Sequence, residues 1–109
     1  MINNLTHQAI HYDGNLHSQA WVADGKSTIL FVYAEWCGYC KKTMPEFIKA
    51  SSMQKVRFAV MSDDEVAKME NPLQVNGYPS FFLIDGNGVM SSIRFPREHS
   101  EMVKFVNQM

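Results

Sequence analysis

Residues 28–34 read Thr-Ile-Leu-Phe-Val-Tyr-Ala, a run with no charged side chain, and the chain then passes at once into Trp36-Cys37-Gly38-Tyr39-Cys40. The run is rich in β-branched and aromatic residues and has the length of a strand. A continuous apolar strand has no face to offer to water, so it suits a position buried on both sides. That requirement points to a layered fold with helices packed on either face of a central sheet.

Downstream the pattern alternates. Residues 38–53 form a helical stretch, with Met44, Phe47, Ile48 and Ser51 at helical spacing. Pro45 lies well inside it, where the missing amide donor should kink the helix. Residues 56–61 read as a second buried strand. Ser62 is placed to cap a short helix over 62–70, acidic in its first turn and stopped by Asn71-Pro72. Residues 80–84 give a third strand, Asp85-Gly86-Asn87-Gly88 a hairpin turn, and 89–95 the returning strand. Residues 97–108 are predicted helical, with Met102, Val103, Phe105 and Val106 on the apolar side. Upstream, residues 15–23 are predicted to form a short helix with Leu16, Ala20 and Ala23 inward, and there is room for a short first strand near 8–12.

The order is therefore β-α-β-α followed by β-β-α. Alternation implies a parallel pair with a right-handed crossover, and the late hairpin adds antiparallel strands. The fold class is α/β: a central mixed sheet with helices on both faces, residues 1–109 forming a single domain.

Composition narrows the function. The chain is 46% hydrophobic with a formal net charge of −1. That describes a globular chain without the basic footprint of a nucleic-acid binder. No stretch approaches the ~20 apolar residues of a membrane span. The opening residues from Met1 carry neither a basic nor an apolar leader region, so the expected compartment is the cytoplasm.

Cys37 and Cys40 are the only cysteines. A bridge between them closes a tiny loop and constrains the unfolded chain little. A stapled secreted domain spreads its cysteines across distant segments. The pair thus calls for a chemical reason. Cys37 follows a buried strand and opens a helix, where unpaired amides and the helix dipole favour a thiolate, the nucleophilic form. Cys40 lies on the same side, nearly one turn on, at a separation a disulfide tolerates. Cys37 can attack a substrate disulfide, and Cys40 can resolve the mixed disulfide and leave the pair oxidised. A zinc half-site is the rival reading, but four ligands are usual, no second cysteine pair exists, and His7, His11 and His17 lie in a separate segment. Two inert buried thiols are the other alternative. The strand–CxxC–helix context favours redox chemistry. No metal is expected, and no cofactor beyond the redox-active Cys37–Cys40 disulfide.

Ala34-Glu-Trp-Cys-Gly-Tyr-Cys-Lys41, Pro45 in the following helix, and Gly77-Tyr-Pro-Ser-Phe-Phe-Leu-Ile-Asp-Gly-Asn-Gly-Val89 together resemble the thioredoxin family. The likeness runs from about residue 15 to the C-terminus and follows the same element order. It implies that Tyr78-Pro79 is a cis peptide facing Cys37, in a loop whose backbone pairs with an extended substrate segment. Without the likeness, Pro79 reads as a trans proline opening a strand. The likeness also implies that Trp36 belongs to a flat apolar contact surface, and that Gly38, Tyr39 and Tyr78 border the substrate. Trp21 and Pro45 read as packing and shaping residues.

Three positions depart from the thioredoxin pattern. Thioredoxins have Gly-Pro between the cysteines, and Gly38-Tyr39 is closer to the dipeptide of periplasmic disulfide isomerases. They carry a buried Asp where this chain has Phe31, with a Lys near Ala59 or Val60. They also have a smaller aliphatic residue at the place of Tyr78. Resolution by Cys40 is accordingly expected to be slower, or the redox potential shifted.

The expected function is a protein-disulfide oxidoreductase, thioredoxin-like and working as a reductase. Its partners would be protein disulfides and a recharging reductase, such as thioredoxin reductase, or glutathione; it would act as a monomer, apart from membranes and nucleic acids. The alternatives are a glutathione-dependent glutaredoxin-like enzyme, a disulfide isomerase or oxidase, and a non-catalytic binding module using Trp36, Tyr39 and Tyr78.

Overall fold

A computed structural model describes residues 2–4, 10–12, 16–18, 25–69 and 73–109. In chain order the elements are β1 (Ile2–Asn4), β2 (Ile10–Tyr12), β3 (Leu16–Ser18), β4 (Thr28–Tyr33), α1 (Gly38–Ala50), β5 (Arg57–Ser62), α2 (Asp63–Ala67), β6 (Ser80–Ile84), β7 (Met90–Ile93) and α3 (His99–Asn107).

The apolar run becomes β4, the middle strand of a five-stranded sheet ordered β1-β5-β4-β6-β7. β5 lies parallel to both β1 and β4, whereas β6 is antiparallel to β4 and to β7. Successive side chains of a strand point to opposite faces, so β4 feeds two interiors. Ile29 and Phe31 enter one with Phe58, Val60 and Phe81; it is closed by Phe47 of α1 and by Met102 and Val106 of α3. Leu30 and Val32 enter the other with Ala59, Met61, Phe82 and Ile84; it is closed by Val66 of α2 and by Met69 and Leu73. The expected mixed sheet with helices on both faces is what forms.

Local signals place the ends. Ser62 Oγ accepts the Glu65 amide at 3.3 Å, capping α2, and three acids occupy its first turn. In the β6–β7 hairpin, Asp85 Oδ1 accepts the amides of Asn87 (2.8 Å) and Val89 (3.1 Å). Gly88 supplies the left-handed residue of that turn, at φ +86°. A Cβ on Gly86 would lie 2.6 Å from the Gly25 carbonyl oxygen, so this turn packs tightly on the segment leading into β4.

Three expectations are corrected. Leu16–Ser18 is a strand, antiparallel to β2 with His11 opposite His17, and not the start of a helix. A nine-residue stretch is too short to hold a helix on propensity alone, and Leu16 was the only large apolar residue on its proposed face. Ala20, Trp21 and Ala23 lie outside the described residues, as do Asn71-Pro72. Helix α1 stops at Ala50 with Ser51 as its C-cap, short of Met53. Its buried stripe is Cys40, Thr43, Phe47 and Ala50, and Ile48 is 51% exposed. Large apolar residues drew the expected face toward Ile48, but burial of Cys40 sets the rotation instead.

Candidate active site at the start of the first helix

Cys37 is the N-cap of α1. Its backbone is extended (φ −87°, ψ 112°), its amide donates to the Ala34 carbonyl at 3.1 Å, and its carbonyl accepts the Lys41 amide at 3.3 Å. Its sulfur takes the part that Ser or Asp usually plays at a helix start: Sγ accepts the Cys40 amide at 3.1 Å. The strand-to-helix turn thus aims a backbone donor at one sulfur from the residue that carries the other. Both cysteines are free thiols, 5% and 3% exposed for Cys37 and Cys40.

Around the buried pair stands an exposed aromatic rim. Trp36 is 73% and Tyr39 70% exposed. Trp36 meets the half-buried Tyr78 edge to face at 5.5 Å between ring centres, a favoured aromatic geometry. Lys42 lies 6.0 Å from the Tyr39 ring centre. The Tyr78–Pro79 peptide is cis, Pro79 is buried, and Ser80 Oγ donates to the Gly77 carbonyl at 2.6 Å. Gly38 is exposed, with open space where a Cβ would stand. The fold thus gathers Trp36, Cys37, Gly38, Tyr39, Cys40, Tyr78 and Pro79 at one end of the sheet.

Beneath Cys40 the interior is aromatic. Phe31 packs at 5.2 Å from Phe47 and 4.9 Å from Phe81, and its register partner Val60 lines the same interior. Burial is the largest influence on the Cys40 thiol, followed by its hydrogen bond to Cys37. Together they push its pKa up to about 11. A backbone hydrogen bond from Ala34 and the Arg97 guanidinium act the other way, more weakly. Among the described residues no carboxylate acts on this thiol. Burial also raises the Tyr78 phenol above its usual range, with Asp63 and Cys40 adding to the effect.

An open cleft of ≈ 470 Å³ runs beside Cys40, lined by Tyr33, Ala34, Glu35, Lys41 and Met44. Met44 therefore borders the cleft beside Cys40. Arg97 is the residue that sequence reasoning missed. It precedes α3, its guanidinium carbon sits 5.9 Å from the Phe81 ring centre, and its charge reaches Cys40. Only the basic residue after Pro96 hinted at it, since the contact depends on how β7 returns beside β6. His99 is not at the thiols: its amide donates to Glu46 Oε1 at 3.1 Å on the contact between α3 and α1.

The thioredoxin family profile matches residues 8–108. Protein disulfide-isomerase of Zea mays is 28% identical over 116 residues, spanning 98% of this chain and 21% of its own length. The zinc-bound form of human ERp44 superposes at a TM-score of 0.77 with 19% identity, over 99% of this chain and 31% of that one. Chloroplastic thioredoxin z superposes at 0.73 with 17% identity, over 98% of this chain and 92% of its own. The chain thus spans about a fifth of the maize relative it matches. A mixed sheet between helices, with a thiol pair opening the first long helix, is the arrangement of a thioredoxin-like domain. The chain belongs to the thioredoxin family.

Proposed function

We propose that this domain reduces disulfides in proteins through Cys37 and Cys40. The observation that carries the reading is the pairing of the two sulfurs at one helix start, with the Cys40 amide donating to Cys37 Sγ. Cys37 as a thiolate attacks one sulfur of a substrate disulfide, and the other substrate sulfur leaves as a thiolate. Cys40 then gives up its proton and attacks the Cys37 sulfur of the mixed disulfide. The second substrate thiolate leaves, the Cys37–Cys40 disulfide forms, and two electrons have passed to the substrate. A disulfide reductase or glutathione restores the pair in a reducing compartment such as the cytoplasm. The monomer suffices for this cycle. Trp36, Gly38, Tyr39, Tyr78 and Pro79 form the surface on which the substrate segment lies.

Isomerisation is the second reading, supported by the protein disulfide-isomerase relatives and by the deeply protonated Cys40. If Cys40 attacks slowly, a substrate thiol has time to displace Cys37 and leave a rearranged disulfide. A redox titration in glutathione buffers, with thiol trapping, tests the direction. A potential near the thioredoxin value of about −270 mV supports reduction, and one near the isomerase value of about −180 mV overturns it in favour of isomerisation. Loss of all exchange in Cys37→Ser, with trapping of a mixed disulfide in Cys40→Ser, checks the assigned roles.

A further inference from the structure

A second groove, of ≈ 380 Å³, includes Pro79 of the Tyr78–Pro79 loop in its lining. Pro79, Ser80 and Phe81 form one wall, and Ser92, Ile93, Arg94, Phe95 and Arg97 form the other. Its two cations, like Lys41 and Lys42 beside the thiols, lack the carboxylate partners that the lysines farther along the helices have among the described residues. Lys49, Lys68 and Lys104 each pair with a glutamate three residues away on their own helices. Arg94 and Arg97 pair with no carboxylate among the described residues, although both are exposed. Two guanidiniums line one groove, Arg97 with its guanidinium carbon 5.9 Å from the Phe81 ring centre, and guanidinium forks bind carboxylates in a bidentate manner.

Two of the groove's residues also bear on the reactive centre. Pro79 belongs to the wall and to the loop beside the thiols, and Arg97 acts on Cys40. We infer that this groove is a specificity site that takes an acidic side chain, Asp or Glu, of the polypeptide whose disulfide Cys37 attacks. The inference rests on the oxidoreductase reading above. An extended segment advances about 3.3 Å per residue, so a segment running from Cys37 past Pro79 brings an acidic side chain a few residues from the substrate cysteine to the groove. A lysine in the same place meets two like charges and is disfavoured. Arg94 is the better probe of the two, because Arg97 also acts on Cys40.

The test uses two disulfide peptides that differ only by Glu or Lys at that distance. Binding is measured first by calorimetry on the Cys37→Ser/Cys40→Ser protein, which needs no chemistry. The Glu peptide is expected to bind about tenfold more tightly at low ionic strength, the gap narrowing as salt rises. Arg94→Glu is expected to invert the preference. Equal binding of the two peptides, no binding of either, or a Glu preference that survives Arg94→Glu overturns the inference. Turnover by the unsubstituted protein is measured separately. A Glu preference in binding with no turnover of either peptide upholds the groove and sinks the oxidoreductase reading instead.

Discussion

Cys40 controls the pace of the proposed cycle. Its side chain lies in the buried cluster that holds Cys37, Phe31, Phe47 and Phe81, and its thiol holds its proton up to about pH 11. A thiol becomes a nucleophile only when that proton leaves. Resolution of a mixed disulfide on Cys37 is therefore expected to quicken by about tenfold per pH unit between pH 7 and 10. Rapid acid quenching followed by mass analysis of the mixed disulfide measures this; a rate flat across that range would reveal an internal base. The same shift bears on stability. The folded value lies above the ordinary 9.0, so in the unfolded chain the thiol ionises first. The stability associated with the neutral thiol is whole below about pH 9 and is lost as pH rises toward 11. The thiol pair itself was legible, because a spacing of three residues at a helix start is a local pattern. Arg97 was not, because its approach to Cys40 depends on the path of a distant loop.

Among the elements, α1 serves two ends. It carries Cys37 as its own cap, and through Glu46 it caps α3: Glu46 Oε1 accepts the His99 amide, while Glu98, the N-cap residue, makes no side-chain cap bond. That amide, and then Lys49, hold the Glu46 carboxyl below its ordinary 4.5. A depressed carboxylate contributes stability that is present above its unfolded value and lost as pH falls through its folded one. Glu46→Gln is expected to weaken the protein at pH 7 and to differ less from the unsubstituted protein at pH 3. Urea unfolding at both pH values checks it. The strands β4, β5 and β6 were readable because continuous apolar runs announce strands buried on both faces. The Leu16–Ser18 strand was not, since three residues acquire strand geometry only from the partner they meet. Ile48 was placed inward for its side chain alone, whereas the rotation of α1 follows the small residues Cys40, Thr43 and Ala50 that let it lie close to the sheet.

Across the molecule, the sheet is a partition. The thiols belong to the interior closed by α1 and α3, and among the described residues Tyr78 packs against both that interior and the one around Leu30, Phe82, Ile84 and Met90. Ile84→Val is expected to cost about 0.5–1.5 kcal/mol in chemical unfolding, as one buried methyl is removed. Its kcat/KM for a disulfide substrate is expected to stay unchanged, and a matching loss in rate would show that the two interiors are mechanically linked. The partition also has a bearing on ancestry. Substitutions on the α2 side away from Tyr78 are expected to answer to stability, whereas those on the α1 side answer to stability and to sulfur chemistry at once. In a lineage of such domains the first side is free to wander under a single constraint. The second records, in residues such as Phe31, which kind of thiol exchange the lineage settled on.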